Sequence, residues 1–187
     1  MGTPRESILE RLQRIKRQKL LSAAEGYLLL DLFPQALASL DEIPEDAGDT
    51  APIDLLRGEA LRSLERHAEA LEAYNRAFAV NPQNVSLLLS MAWCYKRTNQ
   101  LPRAITALEQ ARRIDPAQAI IPYNLACYWC LAGNREEALS CLRRALTQDS
   151  GLRTLIDNET DFDSLRDDPD FRQIVREWRG TPRVPES

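Results

Sequence analysis

The chain has 187 residues, of which 44% are hydrophobic and 28% charged, and its formal net charge is −4. This nearly neutral balance lacks the basic field that is typical of nucleic-acid-binding proteins, and it argues against that class. No stretch approaches the roughly 20 apolar residues that a membrane span needs, and no secretory signal opens the sequence. We therefore expect a cytoplasmic protein without a transmembrane segment, whose four cysteines are reduced thiols.

The first segment has the pattern of a basic helix. Residues 3–6, Thr-Pro-Arg-Glu, provide a candidate N-cap, a proline for the first turn and a glutamate that reaches back. Three apolar residues follow at helical spacing: Ile8, Leu12 and Ile15. No breaker interrupts the pattern, so we predict one helix that runs to about Asp31. We interpret its basic face as solvated, and a contact with a membrane or nucleic acid is the alternative.

Most of the chain repeats with a period of about 34 residues, and each repeat contains two helical patterns. Four repeats are predicted, at 17–50, 51–84, 85–118 and 119–152. The first is degenerate, because Pro44 and Gly48 end its second helix early, within the acidic loop 42–49. Pro82 and Pro116 end the second helices of the next two repeats. A two-helix repeat of this length predicts an all-α fold, the α-solenoid.

Small and large residues recur at fixed positions of the repeat. The small ones mark places where paired helices are expected to cross closely: Gly58, Ala92, Ala126, Ala70, Ala104 and Ala138. The large ones are expected to fill the space around each crossing: Leu61, Tyr95, Trp129, Tyr74, Leu108 and Leu142. We therefore place the aromatic rings of Tyr74, Tyr95 and Trp129 in the core.

These positions resemble the tetratricopeptide repeat family over residues 17–152. The resemblance implies antiparallel helix pairs stacked into a right-handed superhelix, whose concave groove binds peptides or partner proteins. The acidic stretch 161–171 is similar to an ending that follows bacterial arrays of this repeat, which implies a bacterial source and a capping segment at 153–179. Asp168 and Pro169 should open its helix, which should bury Phe171, Ile174, Val175 and Trp178. Residues 1–16 are then an N-terminal helical extension, and 180–187 a loose end.

Trp93 does not fall on a packing position of the repeat. It lies where the second repeat has Glu59 and the fourth has Cys127, a place that faces the concave groove in tetratricopeptide repeat proteins. Helical spacing adds neighbours to this face. The predicted partner-binding set is Leu55, Glu59, Arg62, Leu89, Trp93, Lys96, Tyr123, Asn124, Cys127 and Cys130. The alternative for Trp93 is packing between neighbouring repeats.

The residues with catalytic or metal-binding chemistry form no site in the sequence. Cys127 and Cys130 make a CxxC, but inside a helix, where no helix N-terminus lowers a thiol pKa and no further zinc ligand is in register. His67, the single histidine, has no catalytic companion in register. The carboxylates of 161–170 lack the glycine and the final glutamate of a calcium loop. We expect no catalytic residue, no cofactor and no metal.

We interpret the chain as a non-enzymatic scaffold that binds a protein or peptide segment, rather than a small-molecule substrate, in a groove around Trp93. A secretion-type chaperone is one alternative, and an RNA or membrane adaptor acting through the basic N-terminal helix is another. The family's clamp for the C-terminal carboxylate of heat-shock chaperones uses Lys, Arg and Asn. Here Asn124 alone resembles it, which argues against a cochaperone. The partner and the oligomeric state stay open.

Overall fold

The structure is a computed structural model that describes residues 7–44 and 50–178. Within these ranges the chain is helical and contains no β-strand, which confirms the predicted all-α class. It divides into two compact units, unit 1 at Met1–Pro82 and unit 2 at Gln83–Ser187. No helix of the described ranges is long and apolar enough to cross a membrane.

The described part of unit 1 contains four helices: α1 (Ile8–Leu29), α2 (Phe33–Asp41), α3 (Ala51–Ser63) and α4 (His67–Val80). Helix α1 packs on α2 and α3, α2 packs on α3, and α3 packs on α4. Small and aliphatic side chains form the core between α1, α2 and α3: Ala24, Ala36, Leu40, Ile43, Ile53 and Ala60. The second helix of this unit ends early, at Asp41; Gly48, one of its two predicted stops, lies outside the described residues.

Helix α1 has its N-cap at Ser7. The Ser7 hydroxyl accepts a hydrogen bond from the Glu10 N–H at 3.1 Å, and the Glu10 carboxylate accepts one from the Ser7 N–H at 2.7 Å. This reciprocal arrangement is a capping box, which satisfies two N–H groups that the helix itself cannot pair. The start predicted at residues 3–6 lies outside the described residues. The helix ends at Leu29, slightly before the predicted limit at Asp31.

The described part of unit 2 contains two long helix pairs and a cap after them. The helices are α5 (Val85–Arg97), α6 (Leu101–Ile114), α7 (Ile120–Leu131), α8 (Arg135–Gln148), α9 (Arg153–Ile156) and α10 (Pro169–Glu177). We call residues 153–178 the cap, and the 3-10 helix Thr160–Leu165 within it the cap turn. Successive helices from α5 to α8 pack on each other, the cap turn contacts α7, and α10 contacts α8. The cap therefore covers parts of both helices of the last pair.

The backbone shows the repeat period at the end of each first helix. Four residues spaced 34 apart have positive φ: Asp31 (57°), Glu65 (59°), Asn99 (57°) and Gly133 (75°). The next amide in each case donates to the carbonyl five residues back: Leu32 to Tyr27, Arg66 to Leu61, Gln100 to Tyr95, and Asn134 to Trp129, at 2.8–2.9 Å. This is the long hydrogen bond of a Schellman motif, which stops a helix and turns the chain away. Each pair thereby makes its turn with the same local geometry.

The small residues of the repeat lie where helices pack closely, as predicted. A Cβ atom at Gly58 of α3 would lie 2.9 Å from Cζ of Tyr74 on α4, and closer still to two other ring carbons. The Tyr74 ring is fully buried. The alanines at the equivalent positions are buried too: Ala70, Ala92, Ala104, Ala126 and Ala138. A larger side chain at any of these places would have to displace a packed neighbour.

Two of the three aromatic residues predicted for the core are less buried than expected. Tyr74 is fully buried, but Tyr95 and Trp129 are half-buried. Leu61, at the same repeat position in unit 1, is buried, so the larger rings extend beyond the space that a leucine fills. The Arg103 guanidinium lies 6.0 Å from the Tyr95 ring centroid and covers part of it.

Helix α10 begins at Pro169, after the N-cap residue Asp168, as predicted. The Asp168 carboxylate accepts hydrogen bonds from two backbone N–H groups of α10 and from the Arg135 guanidinium of α8. The buried face of the helix consists of Phe171, Ile174 and Val175. Trp178, predicted to share this face, is half-buried at the C-cap. The predicted loose end at 180–187 lies outside the described residues.

Candidate partner-binding surface

The exposed side of α5 contains Trp93. This residue is 37% exposed, although Met91, Ala92 and Cys94 beside it in the helix are buried. The Arg97 guanidinium, one turn further on, lies 5.7 Å from the centroid of the indole ring, within the range of a cation–π interaction. Leu89, one turn earlier, is half-buried. We call Leu89, Trp93 and Arg97 the Trp93 surface.

The predicted groove residues on α7 are mostly covered by the chain itself. Tyr123, Cys127 and Cys130 are buried, and Asn124 is half-buried. The Phe162 ring of the cap turn meets the Tyr123 ring edge-on, with centroids 5.9 Å apart and an interplanar angle of 85°. The Cys130 thiol lies 3.2 Å from the hydroxyl of Ser164, at hydrogen-bonding distance.

Lys96 of α5 also contacts the cap turn. Its ammonium group forms an ion pair with the Asp161 carboxylate, which is largely buried, and lies 5.6 Å from the centroid of the Tyr128 ring. A carboxylate in such a position needs a cation or hydrogen-bond donors, because burial without them is costly. Lys96 was predicted to face a partner; in the structure it pairs with the chain's own cap.

Local hydrogen bonds and packing hold the cap turn in place. The Glu159 carboxylate accepts a hydrogen bond from the Asp161 N–H at 3.2 Å, and Arg166 donates to the Glu159 carbonyl at 2.8 Å. Phe162 is fully buried and packs against Phe171 of α10, with ring centroids 5.5 Å apart. The cap turn is thus part of the unit 2 core. The predicted groove is correspondingly closed at Tyr123, Cys127 and Cys130.

The predicted residues of unit 1 lie beside a separate cavity of about 500 Å³. Glu59 and Arg62 of α3 line it together with the end of α1, whereas Leu55 does not and its neighbour Leu56 does. Burial raises the pKa of the Glu59 carboxyl, and the positive charge of Arg62 opposes this shift. The cavity combines apolar walls with three acidic residues, Glu25, Asp31 and Glu59, and one basic residue, Arg62.

The surroundings of the two CxxC thiols raise their pKa values, as is typical of buried structural cysteines. Burial raises the pKa of the Cys127 thiol, and the carboxylates of Glu159 and Asp161 raise it further. Burial also raises the pKa of Cys130, although the hydrogen bond with Ser164 lowers it. Both thiols therefore stay protonated at neutral pH, and a protonated thiol is a poor nucleophile.

Three potential metal ligands meet beneath the cap turn. The thiol sulfur of Cys127 and one carboxylate oxygen each of Glu159 and Asp161 lie within 4.8 Å of one another. The repeat register did not anticipate these carboxylates, because they come from the cap. Asp161 is already neutralised by Lys96, and structural zinc sites typically use four ligands rich in Cys and His. The expectation of no bound metal stays a prediction.

The residues that sequence reasoning missed belong to the cap turn. Asp161, Phe162 and Ser164 were placed in the predicted capping segment without a prediction of their contacts, and Asp161 and Phe162 are buried. Phe162, an aromatic residue inside an acidic stretch, was the available signal. Outside the cap turn, Arg97 was not included in the predicted set, although its spacing of four residues from Trp93 places it on the same helix face.

Residues 61–125, about a third of the chain, match the family model of the tetratricopeptide repeat. Among curated proteins, tetratricopeptide repeat protein 21A of Mus musculus is 31% identical over 101 residues, which is 54% of this chain and 8% of that protein. The probable UDP-N-acetylglucosamine–peptide N-acetylglucosaminyltransferase SPINDLY of Hordeum vulgare is 27% identical over 125 residues, 63% of this chain and 13% of that protein. The chain thus spans a small part of either relative's length.

Solved structures of two other proteins, MamA and YrrB, have a similar fold. A crystal structure of MamA has a TM-score of 0.67 at 22% identity and covers 74% of this chain and 81% of its own. YrrB, described as a TPR protein with an unusual peptide-binding site, has a TM-score of 0.65 at 22% identity, covering 71% and 69%. The repeat match over residues 61–125 and the helix pairs support a protein of the tetratricopeptide repeat family, and these neighbours show the same fold.

Proposed function

We propose that the chain is a non-enzymatic interaction module that binds a segment of a partner protein through the Trp93 surface. The observation that carries the proposal is the exposure of a tryptophan in the middle of a helix whose other large apolar residues are buried or half-buried. Tryptophan and arginine are the residue types that most often dominate binding energy at protein interfaces. The general use of this fold as an interaction scaffold, and the peptide-binding site named for YrrB, support the proposal.

The proposal uses fewer residues than the predicted partner-binding set. Tyr123, Cys127 and Cys130 are covered by the cap turn, and Lys96 is paired with Asp161. In this proposal these residues stabilise the fold and do not contact the partner. In unit 1, Glu59 and Arg62 offer a second and separate contact surface at their cavity. The partner segment for the Trp93 surface should present an apolar side chain to the ring and an acidic group to Arg97.

A cytoplasmic location and a bacterial source belong to the same proposal. Four buried cysteines without a disulfide among them suit a reducing compartment. The acidic ending of the chain, similar to endings of bacterial arrays, supports the source. The match to the SPINDLY transferase does not argue for an enzyme, because it covers 13% of that protein.

Affinity capture with matched variants tests the proposal. Wild type, Trp93→Ala and Leu155→Ala are used as baits, since Leu155 of the cap is also an exposed apolar residue, at 47%. We expect a partner that binds wild type and Leu155→Ala but is depleted on Trp93→Ala. A set of bound proteins that is the same for all three baits would contradict the proposal.

A further inference from the structure

The N-terminal half of α1 has an exposed apolar stripe. Ile8 is 81% exposed, Leu12 59% and Ile15 38%, and Leu9 beside them is 65% exposed. The capping box at Ser7 and Glu10 stabilises this end of the helix, so the stripe is held in helical spacing. We call Ile8, Leu12 and Ile15 the α1 stripe. Scattered exposed leucines are common on proteins, but three in one helical row form a surface.

The α1 stripe faces away from the core of unit 1. Ala24, the buried residue of α1, follows Ile15 by nine residues, which is two and a half turns at 3.6 residues per turn. The stripe and the packed face are therefore on opposite sides of the helix. Packing among the described residues of unit 1 consequently does not account for apolar residues at these positions.

Basic residues surround the α1 stripe. Residues 8–19 contain five basic residues and one acidic residue, a net charge of +4, in a chain whose net charge is −4. By helical geometry Arg11 and Lys16 flank the stripe on its two sides, and Lys19 continues it toward the C-terminus. Long basic side chains beside an apolar row suit the boundary between acyl chains and anionic headgroups, because they place their charges at the level of the phosphates.

Two other occupants fit this surface less well. In a pair of α1 helices joined through the stripe, Arg11 and Lys16 would approach like charges of the second copy. Nucleic acid would attract the basic residues but would leave the aliphatic stripe without a role, since bases stack on aromatic rings and the stripe has none.

We propose that α1 binds the surface of an anionic phospholipid membrane. The α1 stripe inserts into the boundary between headgroups and acyl chains, and Arg11, Lys16 and Lys19 contact lipid phosphates. The helix lies in the membrane plane without crossing it. This attachment would bring the partner-binding module to a membrane, and it does not depend on the Trp93 surface.

Vesicle sedimentation with the full chain tests the proposal. Vesicles of phosphatidylcholine alone are compared with vesicles that also contain phosphatidylglycerol, at low and high salt. We expect binding to the anionic vesicles that weakens with salt. The double variant Arg11→Gln/Lys16→Gln should bind about 25-fold more weakly, at about fivefold for each charge near the surface.

Apolar variants separate insertion from simple charge attraction. Ile8→Ser/Leu12→Ser should bind anionic vesicles at least about tenfold more weakly, whereas Leu155→Ser, with a similarly exposed leucine in the cap, should bind like wild type. Circular dichroism checks that each variant keeps its helix content. Equal binding to neutral and anionic vesicles, or unchanged binding by Ile8→Ser/Leu12→Ser, would overturn the proposal. So would a dimer in solution that this double variant abolishes, or RNA binding that outcompetes the vesicles.

Discussion

Single residues decide how each helix pair turns. Of the four positions with positive φ, the fourth alone is a glycine, and the others are Asp31, Glu65 and Asn99. The left-handed region costs a residue with a Cβ atom roughly 1–2 kcal/mol, less for Asn and Asp, whose short polar side chains adopt it more readily. Glu65 is therefore the residue least suited to its conformation.

Replacing Glu65 with glycine should stabilise the protein. We expect the free energy of unfolding of Glu65→Gly to rise by roughly 0.5–1 kcal/mol, because relief of the strained φ exceeds the extra entropy lost on folding. Glu72→Gly, at an exposed position inside α4, is the matched control and should lower stability by about 1 kcal/mol. Urea denaturation measures both changes. A Glu65→Gly variant less stable than wild type would show that the glutamate side chain has a role beyond this turn.

Buried thiols and phenols should make stability depend on alkaline pH. Burial raises the pKa of Cys141 to about 11, from a usual value of 9.0, and raises the pKa values of Cys127, Tyr123 and Tyr128 as well. The folded chain thus holds these protons more tightly than the unfolded chain, so their stabilising effect is complete below pH 9 and is lost as the pH rises toward and beyond about 11.

The free energy of unfolding, measured against pH, checks this dependence. It should be constant just below pH 9 and fall above it, and Cys141→Ala should fall less steeply than wild type. In parallel, Cys141 in the folded protein should react slowly with iodoacetamide at pH 8, because about one thiol in a thousand is then ionised. Rapid labelling of the folded protein would contradict the assigned burial.

At the scale of elements, the cap turn shows what local sequence patterns reveal and what they do not. The helix pairs, the Asp168 cap of α10 and its buried residues followed from spacing, because each depends on residues within a few turns of one another. The position of the cap turn against α5 and α7 depends on contacts between residues that are far apart in the sequence. Lys96 and Asp161 are 65 positions apart, and Cys130 and Ser164 are 34 apart. The repeat period relates equivalent positions of successive repeats and does not show which side chains touch, so it predicts neither contact.

Removing the buried ring of the cap turn should destabilise unit 2. Phe162→Ala should lower the free energy of unfolding by about 3–5 kcal/mol, the usual range for a fully buried aromatic residue. Leu155→Ala, at an exposed position of the same cap, should cost less than about 1 kcal/mol. Guanidinium denaturation compares the two. Similar midpoints would mean that the cap turn is a surface loop rather than part of the core.

At the scale of the whole molecule, the described residues present three candidate contact surfaces: the Trp93 surface in unit 2, the cavity beside Glu59 in unit 1, and the α1 stripe. The register of the repeats predicted from the sequence that Trp93 lies on an exposed helix face. It overestimated the open groove because it treated every repeat alike, whereas the last repeat is covered by the cap. The cap covers parts of the last helix pair, whereas Trp93 on α5 is exposed. This arrangement agrees with partner binding at the Trp93 surface.

Titration of the captured partner segment against wild type and Trp93→Ala, with a thermal melt of each, tests this account most directly. We predict binding about 30-fold weaker for Trp93→Ala, the change that corresponds to about 2 kcal/mol for an interface anchor, with little change in Tm. The same titration with Leu155→Ala should match wild type. Equal affinity of Trp93→Ala and wild type, or loss of folding in Trp93→Ala, would contradict the assignment of this tryptophan to a binding surface.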